Sequence, residues 1–175
     1  LSRVIELPIP FLDDVRLYHF AGQTLHTQYS LGDEQPFGQR AVRNRNFMMP
    51  LQLAPGNNEI YLRLASSGTI EAPLRVWDPV FYQAASIDEN LTQGAVIGIL
   101  LIMLVYNLFV YFSTRDVNYL YYIGFVASYL LFHLTLTGYT FAYVWPNAVS
   151  WNGIAISIFA ASTALFTCLF TDSFL

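Results

Sequence analysis

The stretch FVYFSTRDVNYLYY, residues 109–122, decides how the chain is read. Arg115 and Asp116 stand there alone, because from Asn90 to Thr171 the sequence holds no other Asp, Glu, Lys or Arg. Before them GAVIGILLIMLVYNLFVYF (94–112) runs 19 residues without a charge. As a helix that run spans about 28 Å, close to the ~30 Å hydrocarbon core of a bilayer. After them 117–137 forms a second such run and 149–171 a third. Three long apolar runs with short polar breaks predict a polytopic α-helical membrane region. The Arg115–Asp116 turn then lies at a membrane surface, where water and headgroups are within reach. Tyr111, Tyr119, Tyr121 and Tyr122 crowd that turn, and Tyr139, Tyr143, Trp145 and Trp151 crowd the opposite loop, as aromatic belts do.

Charge divides the chain the same way. Residues 1–89 carry seven Arg and ten acidic residues, 17 of the 20 charges. A water-soluble second half with only Arg115, Asp116 and Asp172 would have almost nothing to cover its surface. The net charge of −4, the absence of Lys and the lack of any basic run beyond Arg40, Arg43 and Arg45 exclude nucleic acid as an expected partner. The single cysteine, Cys168, has no intrachain disulfide partner. The chain opens on Leu1, where a strand is expected, and closes on an apolar run, so it is expected to be part of something longer.

The first half has the period of β-structure. In DVRLYHF, Val15, Leu17 and His19 alternate with Arg16, Tyr18 and Phe20. In EIYLRLAS, Ile60, Leu62 and Leu64 alternate with Tyr61, Arg63 and Ala65, and in PLRVW, Leu74 and Val76 alternate with Arg75 and Trp77. Turn chemistry separates these segments in AGQT, LGDEQPFG and APGNNE. About six strands in a β-sandwich or jelly roll are expected over 1–81, with further strands preceding them. Residues 82–93 are expected to link this domain to the helical region, 94–175.

Beyond these patterns the chain resembles a known family. GAVIGILLIMLVYNLFVYFSTRDVNYLYYIGF followed by TGYTFAYVWP is similar to the start of the helical region in bacterial seven-transmembrane receptors with diverse intracellular signalling modules. The features that carry the likeness are Gly94, Gly98, Tyr106 to Phe109, Arg115–Asp116, Tyr119, Tyr122, Gly138 and Trp145–Pro146. The first half resembles that family's second type of extracellular domain through DDVRLYHF, Gly32–Asp33, Pro36–Phe37, Arg40 and YLRLASSG. The resemblance implies four further helices and a cytoplasmic output domain, commonly a diguanylate cyclase or histidine kinase. It places the β-domain in the periplasm, the Arg115 turn in the cytoplasm and the helices in the inner membrane. A carbohydrate or related small molecule is the implied ligand.

No residues are arranged for enzyme chemistry. His19, His26 and His133 lack partners at metal-ligand spacing, and no phosphate loop or cofactor motif is present. The recognition candidates are Arg40, Arg43, Arg45, Arg63 and Trp77, because guanidinium forks grip carboxylates or sugar hydroxyls and aromatic faces stack on sugar rings. Arg43 and Arg45 would share one face of a strand. The plainer expectation is that Asp33 and Glu34 pair with these arginines, Asp33 with Arg40 across the Gly-Asp-x-x-Pro-Phe turn, and that Trp77 is core. Within the membrane His133 and Asn107 are the polar candidates, and His133 needs a partner from another helix. Gly94-x-x-x-Gly98 and Gly153, Ser157 and Ala161 make small-residue stripes suited to helix packing.

A signal receptor is the function these features favour, with membrane lipid around it and a homodimer or partner receptor left open. A transporter or polytopic membrane enzyme would need more intramembrane polar residues than Asn107 and His133. A tethered adhesion module would need only one span.

Overall fold

A computed structural model describes residues 1–68 and 70–174. The strands are β1 (Ser2–Leu7), β2 (Asp14–Ala21), β3 (Thr24–Leu31), β4 (Phe47–Gln52), β5 (Asn58–Ala65) and β6 (Arg75–Trp77). They form two antiparallel sheets, ordered β4-β1-β6 and β3-β2-β5. Ile5 and Leu7 of β1, Phe47, Met49 and Leu51 of β4, Val15 and Leu17 of β2 and Leu31 of β3 close into one core. Burial stabilises each such side chain by about 1.5–3 kcal/mol. The period-two reading therefore holds on β2, where Val15, Leu17 and His19 are all fully buried.

It fails on β6. Val76 is 62% exposed, while the Trp77 indole turns inward and donates from Nε1 to Glu6 Oε2 at 2.7 Å. β6 is a three-residue edge strand, too short for alternation to report which face is covered.

The helices are α1 (Pro79–Thr114), α2 (Val117–Leu136), a short α3 (Tyr139–Tyr143) and α4 (Val149–Phe174). Three of them, α1, α2 and α4, are long and apolar enough to cross a membrane. Residues 82–93, expected as a linker, are instead the opening turns of α1. The start signal is Asp78-Pro79: Asp78 Oδ1 accepts the Val80 N–H at 3.1 Å, and proline occupies the first helical position. Asp78 Oδ2 also takes Arg3 Nη1 at 2.6 Å, which ties the head of α1 to β1.

The 109–122 stretch closes α1 and opens α2. Arg115 takes φ 57 and donates its N–H to Tyr111 O, while Asp116 Oδ1 accepts the Asn118 N–H at 3.0 Å. The two charges are thus a helix end and a helix cap, placed where solvent is available.

The chain divides into two compact units, 1–85 with 136–153, and 86–135 with 154–175. In the first unit the segment after α2 packs on the β-domain. Phe37 N–H donates to Pro146 O at 2.9 Å, and the Phe37 and Phe141 rings meet edge to face at 5.8 Å. In the second unit α2 and α4 are in close contact at Gly124, where a Cβ would lie 2.5 Å from the Phe166 ring. Gly94, Gly98 and Gly153, expected at helix contacts, have nothing within 4 Å of a built Cβ.

Candidate functional site

Arg40 follows the 3₁₀ turn Phe37–Gln39 and heads an irregular loop, 40–46. Its guanidinium lies 4.6 Å from the Phe37 ring centre, 4.4 Å from Phe47 and 5.8 Å from Phe141, a cage of three aromatic faces. Nη1 donates to the Asn44 and Arg45 carbonyls at 3.1 and 2.7 Å. Nε and Nη2 are buried without a hydrogen-bond partner. Burial lowers the Arg40 pKa to about 10, partly offset by the negative field of Asp33, so the group stays cationic at neutral pH.

That loop corrects two expectations. Arg43 and Arg45 do not share a strand face, because the Arg40 clamp and the Asn44 Oδ1 acceptor for Asn46 N–H hold 41–46 as a folded loop outside either sheet. Arg43 is exposed, with no hydrogen bond or ion pair among the described residues. Arg45 instead donates to Thr137 O at 3.4 Å and lies 4.9 Å over the Tyr139 ring. Nor does Asp33 form a contact ion pair with Arg40, or Glu34 with any arginine, among the described residues. Burial, reinforced by the charges of Asp13 and Glu34, raises the Asp33 pKa from 3.8 to about 6, and Arg40 only partly opposes it.

Arg40 and Arg43 line one cavity of about 280 Å³ with Phe37 and Gly38; Ala142, Pro146 and Asn147 from the segment after α2 complete its wall. The other two β-domain candidates lie elsewhere. Arg63 on β5 is an exposed partner of Asp14 at 3.2 Å, and Trp77 belongs to a polar cluster beside β1.

That cluster escaped the sequence reading. Glu6 is 1% exposed, and its carboxylate accepts from Asn46 Nδ2 and Trp77 Nε1, each at 2.7 Å. Asn44 Nδ2 donates to the Tyr82 hydroxyl at 2.7 Å, and the Tyr82 and Trp77 rings meet at 6.1 Å. The loop that begins at the Arg40 cage is therefore bonded to the first turns of α1. A lone acid between Ile5 and Leu7 at the apolar end of β1 was the available sign that something polar covers that position.

In the second unit His133 finds its partner on another helix, donating from Nε2 to Gln93 Oε1 at 3.0 Å. Asn107 donates to Met103 O of its own helix at 2.7 Å and lines a cavity of about 270 Å³ with Asp116, Asn118, Tyr119, Tyr122 and Phe170. Among the described residues no group of three His, Cys, Asp or Glu side chains could hold a metal ion.

A β-sandwich that takes into its own unit both the head of α1 and the segment after α2 requires those two ends to lie on one side of a bilayer. With three apolar helices, this defines a multi-pass membrane protein that carries a β-domain outside the bilayer. Residues 89–175 match the family model described as 7TM diverse intracellular signalling, and residues 1–78 match that described as 7TMR-DISM extracellular 2. The two matches leave only 79–88 uncovered, and the chain belongs to this family of seven-transmembrane signalling receptors. No curated protein and no solved structure matches it.

Proposed function

We propose that the chain is the sensing and membrane-entry part of a bacterial inner-membrane receptor. Its periplasmic β-domain takes up a small-molecule ligand, and the helices relay occupancy to a cytoplasmic output domain such as a diguanylate cyclase or histidine kinase. The observation that carries this reading is the reach of one β-domain loop. Residues 37–46 touch Tyr82 near the start of α1 and Thr137, Tyr139 and Phe141 just past the end of α2. A ligand that favours one arrangement of the loop therefore biases the outer ends of two spans, and α1 continues from Pro79 to Thr114 without a break.

The test uses the full-length receptor in intact cells with Cys168 replaced by Ser. A cysteine at Thr114 should react only with membrane-permeant thiol reagents, and one at Asn147 should also react with impermeant ones. A flexible Gly-Ser insert within 87–93 should then disconnect output from ligand while both labelling patterns persist. Impermeant labelling at Thr114, or output that follows ligand despite the insert, refutes the reading.

A further inference from the structure

Nothing in the receptor reading says what the ligand is, but the chemistry of the Arg40–Arg43 cavity does. Three features act together there. Arg43 is a free, exposed guanidinium at the cavity wall. Arg40 is a second guanidinium with Nε–H and Nη2–H groups that are buried and unpartnered, although buried donors in folded proteins are nearly always satisfied. The remaining wall offers the Phe37 ring, Pro146 and Ala142 as apolar surface and the Asn147 amide as a neutral polar group, with no carboxylate among the lining residues.

We propose that this cavity is a binding site for a small organic carboxylate with an apolar body. The carboxylate meets Arg43 at the wall and, as the 40–46 loop shifts to uncover them, the idle donors of Arg40, and the body lies against Phe37 and Pro146. A planar carboxylate matches a guanidinium fork in two parallel hydrogen bonds, which a sugar hydroxyl cannot do. The volume of about 280 Å³ lies near the lower end of small-molecule pockets, which suits a compact acid rather than an oligosaccharide. Among the described residues neither guanidinium has a contact ion pair, so an incoming anion does not have to displace a carboxylate. The proposal rests on the receptor reading and names its ligand class.

The test is titration of the full chain in nanodiscs with benzoate, hexanoate and succinate, alongside benzamide, inorganic phosphate and glucose. Arginine side-chain NMR follows Arg40 Nε directly. At least one monocarboxylate should bind saturably and shift the Arg40 Nε resonance. Its amide should bind at least about tenfold more weakly, and Arg43→Gln should lose about ten- to a hundredfold while Arg43→Lys retains part of the affinity. Arg43 is exposed and makes no hydrogen bond or ion pair among the described residues, so its variants should keep the fold, and the Arg40 resonance reports occupancy without any variant. The proposal is overturned if no carboxylate binds, if benzamide equals benzoate, or if phosphate binds as well as the organic acids. Glucose binding in place of carboxylates overturns it and leaves the receptor reading standing. Carboxylate binding that never alters output in the full-length receptor supports the site and refutes the receptor reading.

Discussion

Gly138 is where the segment after α2 is pinned to the β-domain, and it offers a local test of that junction. It sits at φ 78 and ψ 3, caps α3, and a Cβ built on it would lie 2.7 Å from Pro10 Cβ and 3.5 Å from Arg45 Cβ. In Gly138→Ala the left-handed backbone costs ~1–2 kcal/mol. Pressing a methyl against a proline ring adds ~1–3 kcal/mol. The segment should lift off with a local penalty of ~2–5 kcal/mol, so amides that depend on it should exchange at least about 30-fold faster. The reporters are Phe37 N–H, bonded to Pro146 O, and Ala142 N–H, bonded to Gly138 O. The β1–β4 ladder should keep its protection, because no residue of 136–153 enters the sandwich core. Gly22→Ala is the control: φ is 62 there, but nothing lies within 4 Å. It should bear a similar backbone strain and leave Phe37 unaffected. Hydrogen exchange on the nanodisc-embedded chain decides the matter. Unchanged exchange at Phe37 and Ala142, or equal loosening of the β1–β4 ladder, would refute the argument.

Three further outcomes follow from single contacts. Asp33 has a folded-state pKa raised from 3.8 to about 6, so the folded chain holds its proton where the unfolded chain has released it, and stability falls as pH rises from 3.8 through 6. In full isolation from solvent that rise would be worth ~3 kcal/mol, and screening at this half-buried position brings the expectation to ~1 kcal/mol. Asp33→Asn should therefore be more stable than the parent at pH 7 and equal to it below pH ~4; a constant gap across that range would contradict the assignment. Glu6→Ala leaves buried Asn46 Nδ2 and half-buried Trp77 Nε1 without an acceptor, a loss of ~2–4 kcal/mol in thermal unfolding, whereas Glu6→Gln should retain part of it. Gly124→Ala drives a methyl into Phe166 and should weaken α2–α4 packing by ~1–3 kcal/mol; combined with Phe166→Ala the penalty should shrink, and strict additivity would exclude direct contact.

What the sequence made legible was whatever the solvent dictates. Hydrocarbon expels charge over a whole span, so the three membrane helices could be read from composition alone, with boundaries close to those found at 117–136 and 149–174. The outward start of α1 was not legible that way, because its first turns lie in the polar stretch before Gly94 and carry no hydrocarbon signature. The readable sign was the Asp78-Pro79 cap, a local stereochemical signal that the search for apolar runs passes over. β2 was legible because its alternation faces a continuous core, and β6 was not, because an edge strand has one neighbour and partial cover. The 40–46 loop defeated the reading for another reason. Arg43 and Arg45 have strand spacing, but two carbonyls held by one buried guanidinium set the backbone, and no local pattern encodes a side chain that folds back on its own loop.

The same loop explains why the candidate site could be half seen. Arginines in a polar loop announce recognition by their type, and Arg40 and Arg43 do line one cavity, but Arg63 and Trp77 are claimed by Asp14 and Glu6. What separates the two groups is the availability of an acid, which depends on sheet register: Asp14 on β2 pairs opposite Ala65 on β5, within reach of Arg63, and Glu6 lies diagonal to Trp77 across β1 and β6. Among the described residues Arg43 has no contact ion pair, and Arg40 is clamped by carbonyls rather than by an acid. The loop that carries Arg40 and Arg43 is bonded through Asn44 to α1 and through Arg45 to Thr137 just past α2. The proposed anion would therefore act on the spans only by favouring one arrangement of that loop over another. Its leverage on the spans cannot exceed the difference in affinity between those arrangements, so a ligand contacting Arg43 alone would bind without signalling. One that also engages Arg40 and the 142–147 wall would do both.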